Sequence, residues 1–404
     1  MNNPRFANIP AEEYTQRVKK AKELLNKYRM DALVVYDPEN IRYYAGYNKV
    51  GMGVEKRWRI GFVIPKDRDP VFITPYVMEK GVGHQIWTDD IRGWGGPPSL
   101  NYTQDQEKLC ADILKEINAK VVGIELGHSM NSFLSYSEFE IIKKQASNIK
   151  FVDACEMIWD QRMIKSKFEQ DIIREFQKKF VRALNNSRKV LREGITEKEY
   201  EKAMYYEFVK EGLVEGAFIS RMLISGPGRY DVVIMGATDT KLMKGDTIWI
   251  DGGPRYRNYW SDIQRNICIG KPTEKIQRFW DAALSGQMEA LAAVKPENRA
   301  SDIWDAGQRG VKKKGNFEAP STRCGHAMGM NSHEPPYLHS AEILKRLGEK
   351  NYELKSGMYL AVEVGVKDPE GEITLMWPED NLFVTENGCE ILTEDLPREL
   401  WVVE

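Results

Sequence analysis

The stretch DTIWIDGGPRYRNYWSDIQRNICIG, residues 246–270, decides how this chain folds. An apolar run, TIWI, leads into Asp251, a Gly-Gly-Pro segment follows, and a second apolar run starts after Asp262. This pattern predicts two strands joined as a hairpin, with both carboxylates brought side by side. Adjacent carboxylates repel and raise each other's pKa unless a cation lies between them. The pair therefore predicts either a metal site or two exposed turn residues.

Three segments further along the chain weigh on that choice. CGHAMGMNSHEPP (324–336) holds His326 and His333, two of only five histidines. Gly325 and Gly329 flank His326 and imply tight backbone packing around a ligand-bearing strand. His339 reads as structural. YLAVEVGV (359–366) embeds Glu363 in an apolar strand, where a carboxylate needs a solvent-facing position or a cation partner. In MWPEDNLFVTENGCEILT (376–393), Glu379 stands before a hydrophobic strand. Asp251, Asp262, His326, Glu363 and Glu379 together predict an oxygen-rich, one-nitrogen site for two divalent ions, with Mn²⁺, Fe²⁺, Co²⁺ and Zn²⁺ all suited to the donors.

The rest of the chain supplies the setting. Its 404 residues are enough for two domains, and 42% hydrophobic with 29% charged residues is ordinary for a globular protein. Basic and acidic residues, 58 and 60, are well mixed, which argues against a nucleic-acid or membrane partner and for a small molecule or short peptide. The start, MNNPRFANIPAEEY, has no apolar core of a signal peptide, and five cysteines without a C-x-x-C pair fit reduced thiols, so a cytoplasmic protein is expected. Cys324 reads as a small buried residue rather than a thiolate nucleophile.

Upstream, helix and strand alternate. Val18, Ala21, Leu24 and Leu25 fall at helical spacing within 12–28, and ALVVY (32–36), IGFVI (60–64), PVFIT (70–74) and VVGIE (121–125) read as buried strands. This predicts an α/β domain over residues 1–158. The charged stretch DQRMIKSKFEQD (160–171) opens a second domain, 159–404, with a long helix to Arg192 and another helix capped by Thr196 and Glu199. From 217 onward strands dominate, and helices at 167–192 and 273–293 are expected to cover a mostly antiparallel sheet, an α+β architecture.

The ordered set Asp251, Asp262, His326, Glu363 and Glu379, with GH-x-x-G and HEPP around the histidines and VTENGCEILT after them, resembles the pita-bread metallohydrolases, the family of methionine aminopeptidase, aminopeptidase P, prolidase and creatinase. The length and RMIKS (162–166) with Phe168 and Glu169 resemble its creatinase and prolidase branch. The resemblance implies a C-terminal pita-bread catalytic domain, a smaller N-terminal creatinase-type domain, and a homodimer in which one subunit's first domain completes the other's site. It implies that Asp251 binds one metal, His326 and Glu363 the other, and that Asp262 and Glu379 bridge both. A hydroxide between the ions would be the nucleophile, Glu363 the proton shuttle and His333 the donor to the oxyanion. Manganese is a frequent expectation for such a centre.

Two departures concern the substrate. The loop SGPGRYDVVIMG (225–236) lacks the histidine that family peptidases carry there; Ile234 stands nearest, with Arg229, Tyr230 and Asp231 as replacements. Two residues before Glu379, Trp377 stands where Xaa-Pro peptidases often have arginine, which predicts either a cation–π contact to substrate or simple packing. KRWRIGF (56–62), with Arg57, Trp58 and Arg59, reads as a substrate-contacting segment or a strand edge. The expected activity is hydrolysis of a C–N bond, before proline in a peptide or in a small metabolite. The alternatives are a metal-dependent lyase acting on a small onium or zwitterionic metabolite and a non-catalytic binding protein.

Overall fold

The structure is a computed structural model describing residues 9–48, 59–96, 105–127, 129–213, 218–224 (backbone), 236–317, 323–370, 372 and 375–404. The chain divides into two compact units, Met1–Arg162 and Met163–Glu404. The sequence reading places the break after residue 158.

In the first unit, helix α1 (Ala11–Lys27) turns Val18, Ala21, Leu24 and Leu25 inward. Strand β1 (Ala32–Val35) follows, buried along its whole length. Helix α2 (Pro38–Ala45) is started by Asp37, whose carboxylate accepts from the backbone N–H groups of Glu39 and Asn40. Strands β2 (Gly61–Pro65) and β3 (Val71–Pro75), the short helix α3 (Glu79–Gly83), β4 (Asp90–Trp94), α4 (Asp105–Glu116), β5 (Val121–Ile124), α5 (Tyr136–Gln145), β6 (Lys150–Asp153) and α6 (Cys155–Arg162) complete the unit. The sheet order is β4-β3-β2-β1-β5-β6. Its β1–β2 and β2–β3 pairs are antiparallel, while β3–β4, β1–β5 and β5–β6 are parallel. Strands β4 and β6 escape the sequence reading because they are edge strands of polar, half-exposed residues and carry no apolar run.

A buried acidic pair lies in this unit. Glu125 accepts from the backbone N–H of Tyr36 at 2.8 Å and from the Asn40 amide at 2.7 Å, and Arg162 holds Asn40 through Oδ1 at 2.7 Å. Burial, then the charge of Asp37, pushes Glu125 up to about 8.

The second unit opens with α7 (Lys167–Ser187) and α8 (Glu197–Lys210). Each starts with a reciprocal capping box, Ser166 with Glu169 and Thr196 with Glu199. Next come β7 (Phe218–Ile224), β8 (Thr247–Tyr256), β9 (Tyr259–Trp260), β10 (Ile263–Ile269), α9 (Glu274–Ala293), α10 (Ala300–Lys312), β11 (Gly325–Ala327) and β12 (Glu334–Tyr337). The chain ends with α11 (Ala341–Leu347), β13 (Tyr359–Glu363), β14 (Glu379–Val384), β15 (Cys389–Ile391) and β16 (Trp401–Val403). The single antiparallel sheet expected from sequence is instead two five-stranded sheets, β16-β10-β8-β7 with β9 on β8, and β12-β11-β13-β14-β15. Every pair is antiparallel except β10–β16.

Helices α9 and α10 approach each other through glycine: a Cβ on Gly310 would sit 2.4 Å from the Ser285 carbonyl oxygen, and one on Gly286 would sit 2.7 Å from Val311. Arg265 of β10 ties the two sheets together. It reaches Asp380 of β14 at 2.7 Å and donates to the backbone oxygen of Glu379. Thr393 at 2.8 Å, Gln287 at 3.2 Å and Arg398 at 3.3 Å also converge on Asp380. Because side chains alternate along a strand, fixing Asp380 on one face of β14 fixes Glu379 on the other.

Candidate metal centre

Each candidate ligand is placed by strand register. Asp251 sits in the middle of β8, not at its end as the sequence reading had it, because the strand runs on through Gly252 and Gly253 to Tyr256. It pairs across to Gln264 of β10, and Asp262 stands one residue before β10 begins. In the other sheet, Glu363 closes β13 directly opposite Glu379, the first residue of β14. Like charges in register on neighbouring strands destabilise a sheet unless something lies between them. His326 of β11 pairs with Ala361, next to these acids. Gly325, at φ +129°, lets β11 come this close: a Cβ there would lie 2.1 Å from the Ala361 carbonyl oxygen.

The ligand atoms form overlapping triads, each with its atoms within 4.8 Å of one another: Asp251, Asp262 and Glu379; His326, Glu363 and Glu379; and Asp262, His326 and His333. The first two share Glu379. All of these side chains are buried apart from Asp251 and His333, which are half-buried. The His326 ring has Nδ1 3.0 Å from the Ala327 carbonyl oxygen. A carbonyl can only accept, so Nδ1 carries the proton and Nε2, 3.9 Å from Asp262, turns its lone pair to the acids.

The electrostatics have the character of a cation site. Burial, then the charges of Asp262, Glu363 and Asp251, pushes Glu379 well above the usual carboxylate range. Neither of its oxygens has a hydrogen bond of good geometry among the described residues, and the nearby Gln264 amide, which donates to Glu363, pulls Glu379 down only weakly. Glu363 is also raised, by burial, with Arg323 and Gln264 pulling the other way. Buried carboxylate oxygens that lack well-placed protein donors are what divalent ions coordinate, so these residues fit such ions.

Three residues that the sequence reading did not single out complete the surroundings. Gln264 donates to Glu363 while its own oxygen accepts from Trp249 Nε1 at 2.9 Å. Strand alternation from Asp262 could have found it, since residues two apart share a face. Arg323 lies beside the cluster, with Nε 3.2 Å from Glu363 Oε1 and Nη2 2.6 Å from His333 Nε2. Arginine has no acceptor, so Nε2 of His333 accepts and its proton sits on Nδ1, facing Ser332 Oγ at 3.1 Å. In this arrangement the guanidinium turns N–H groups toward the acids. Glu334 holds the turn carrying His333 by accepting from the Asn331 backbone at 3.0 Å, and Lys165 Nζ lies 3.4 Å from its carboxylate. Cys324 is buried, its thiol pushed up by burial and then by the charge of Glu363, and does not act as a thiolate.

The substrate-facing expectations fare differently. Trp377 is 8% exposed and stacks on Trp249 with ring centroids 5.7 Å apart and planes 4° from parallel. It also backs onto Gly365, where a Cβ would meet the ring at 2.8 Å, and Asn266 clamps its backbone N–H at 2.8 Å. A cation–π contact needs an open ring face. The structure gives Trp377 a packing role at the sheet junction. Arg57, Trp58, Arg229, Tyr230, Asp231 and Ile234 lie outside the described residues. Arg59 is occupied within its own unit, 2.7 Å from Glu138.

The model of metallopeptidase family M24 matches residues 171–386, and that of the creatinase/prolidase N-terminal domain matches residues 17–164. A Xaa-Pro dipeptidase of Pyrococcus furiosus is 27% identical over 94% of this chain and 98% of its own length. Among solved structures, a Xaa-Pro dipeptidase from Bacillus anthracis superposes with a TM-score of 0.81 at 21% identity, covering 96% of this chain and 100% of that one. An X-Pro aminopeptidase from Thermotoga maritima gives 0.77 at 23% identity, covering 96% and 99%. At such identities these structures speak to the fold alone.

Proposed function

Because this chain belongs to metallopeptidase family M24 and is a metallohydrolase of pita-bread fold, we propose that it binds two divalent ions and cleaves the C–N bond before proline in a short peptide. The observation carrying this reading is the pair of three-ligand groups that share Glu379. Asp251, Asp262 and Glu379 would hold one ion, and His326, Glu363 and Glu379 the other, with Asp262 able to reach both. Bound there, the ions supply Lewis acidity to the scissile carbonyl and lower the pKa of water. Glu363 would take up and return a proton at Oε1 or Oε2, and Gln264 keeps that carboxylate oriented.

Manganese is the proposed physiological ion, since four carboxylates to one imidazole favour harder cations. A cytoplasmic homodimer completes the reading. Five free cysteines fit a reducing compartment. No helix among the described residues is long and apolar enough to cross a membrane. Sedimentation of the purified protein would test the dimer.

The deciding experiment is metal analysis of the purified protein, followed by an assay of Xaa-Pro dipeptides and small amides in isotopically labelled water with Mn²⁺, Co²⁺, Zn²⁺ and Fe²⁺. Hydrolysis of the dipeptides with label in the product supports the proposal. A product without solvent oxygen points to a lyase, and absence of any affinity for divalent ions removes the dinuclear centre.

A further inference from the structure

We infer that the cavity between the end of α7 and the edge strand β16 is a second ligand site. It takes a small organic anion, with the carboxylate or phosphate on Arg188 and the apolar part against Leu191 and Val402. The cavity measures about 320 Å³, and Asn185, Lys189 and Trp401 also stand in its walls. It shares no residue with the candidate metal ligands, so the inference holds whatever the metal centre cleaves.

The local fold makes the cavity. Helix α7 stops at Ser187, and a single turn, Arg188–Val190, leads the chain away from it. Strand β16 is the outermost of its sheet, and among the described residues it pairs only with β10. Alternation along β16 buries Trp401, which is 2% exposed, and turns Val402 outward at 44%.

Arg188 carries the argument. Its guanidinium carbon lies 4.0 Å from the centre of the Trp401 ring, and Nη1 lies 3.5 Å from the Asn185 amide oxygen. Neither partner carries a charge. The other arginines of α7 are paired, Arg174 with Glu390 and Arg182 with Glu211, each at 2.7 Å. No carboxylate among the described residues does this for Arg188, and the end of α7 offers it only the partial charge of its carbonyls. Burial lowers its pKa from the ordinary arginine value; Tyr200 opposes that and the like charge of Arg265 adds to it. Lys189, whose Nζ holds the Asn186 amide oxygen at 2.8 Å, brings a second positive charge to the same wall. Stacking engages the face of a guanidinium and leaves its N–H edge for a forked contact, the geometry that carboxylates and phosphates satisfy. A half-buried cation held in place without a counter-charge is completed by an anion, and the apolar wall favours one with a hydrocarbon part.

Calorimetric titration of the purified protein with Mn²⁺ present tests this, using isovalerate, its neutral amide and butyl phosphate as probes on native, Arg188→Gln and Arg188→Lys forms. Native protein is expected to bind isovalerate or butyl phosphate and to ignore isovaleramide. Arg188→Gln should weaken that binding on the order of 10- to 100-fold, and Arg188→Lys should keep part of it because a point charge replaces the fork. A response confined to isovalerate assigns a carboxylate ligand, and one confined to butyl phosphate assigns a phosphate. The inference is overturned if neither anion binds, if isovaleramide binds as well as isovalerate, or if Arg188→Gln keeps the native affinity, which would place the anion at the metal centre. Should Arg188→Gln fail to fold, Arg188→Lys decides: affinity equal to the native value overturns the forked contact, and weakened affinity supports it.

Discussion

At the scale of single residues, Glu379 concentrates the conflict in the site. It is shared by both triads, faces Glu363 across the sheet and has no hydrogen bond of good geometry among the described residues to satisfy its oxygens. Replacing it with a neutral isostere removes repulsion in the metal-free protein and removes a shared ligand in the loaded one. Glu379→Gln should therefore raise the metal-free unfolding free energy by about 1–3 kcal/mol while abolishing most of the stabilisation by Mn²⁺. Denaturant melts with chelator and with Mn²⁺ measure both signs, and a destabilised metal-free variant would contradict this account of the cluster. The five candidate ligands that the structure brings together could be singled out in sequence because acids and a histidine inside apolar strands are conspicuous. Arg323 was not, since one arginine among 58 basic residues carries no signal until a fold sets it beside Glu363.

At the scale of elements, β10 does more than bring up Asp262. Its alternation sends Gln264 to Glu363 and Arg265 to Asp380, so successive residues of one strand orient a ligand and tie the two sheets. Orienting partners of this kind commonly matter about 10- to 100-fold in metal affinity. Gln264→Ala is expected to weaken Mn²⁺ binding by that order with the far-ultraviolet circular dichroism unchanged; unaltered affinity would show that Glu363 needs no orientation. The strands of the first sheet that were readable, β1, β2, β3 and β5, are its buried ones, whereas β4 and β6 are polar edges whose pairing is a tertiary outcome. The role of Trp377 escaped the sequence for a similar reason. Its partner Trp249 is 128 residues away, and no periodicity links them.

At the scale of the molecule, the two units answer to different chemistry. Chelation should destabilise only the second unit, while pH acts on the first through Glu125. Folded Glu125 holds its proton up to about pH 8, whereas at its ordinary value of 4.5 the unfolded chain gives it up far earlier. Proton binding therefore favours the fold: this contribution is complete below pH 4.5 and is lost as pH rises through 8. Glu125→Gln should flatten the pH dependence of the first unit's unfolding over that interval without moving the response of the second unit to chelator. Calorimetric scans across the interval would show it, and an unchanged slope would assign the pH dependence elsewhere.

Cys324 offers a clock for the metal strand. Its thiol is 2% exposed and packs on α10, beside Gly307 and 3.9 Å from the Trp304 carbonyl oxygen, so a labelling reagent reaches it only when the start of β11 parts from that helix. The labelling rate then counts openings of that strand-to-helix contact, and the logarithm of its slowing on adding Mn²⁺ gives the free energy by which bound ions hold it shut. Ions held by His326, Glu363 and Glu379, as proposed, would stitch β11, β13 and β14 together, and the clock should then slow in proportion to occupancy. A rate indifferent to Mn²⁺ would mean that the ions bind without closing the seam.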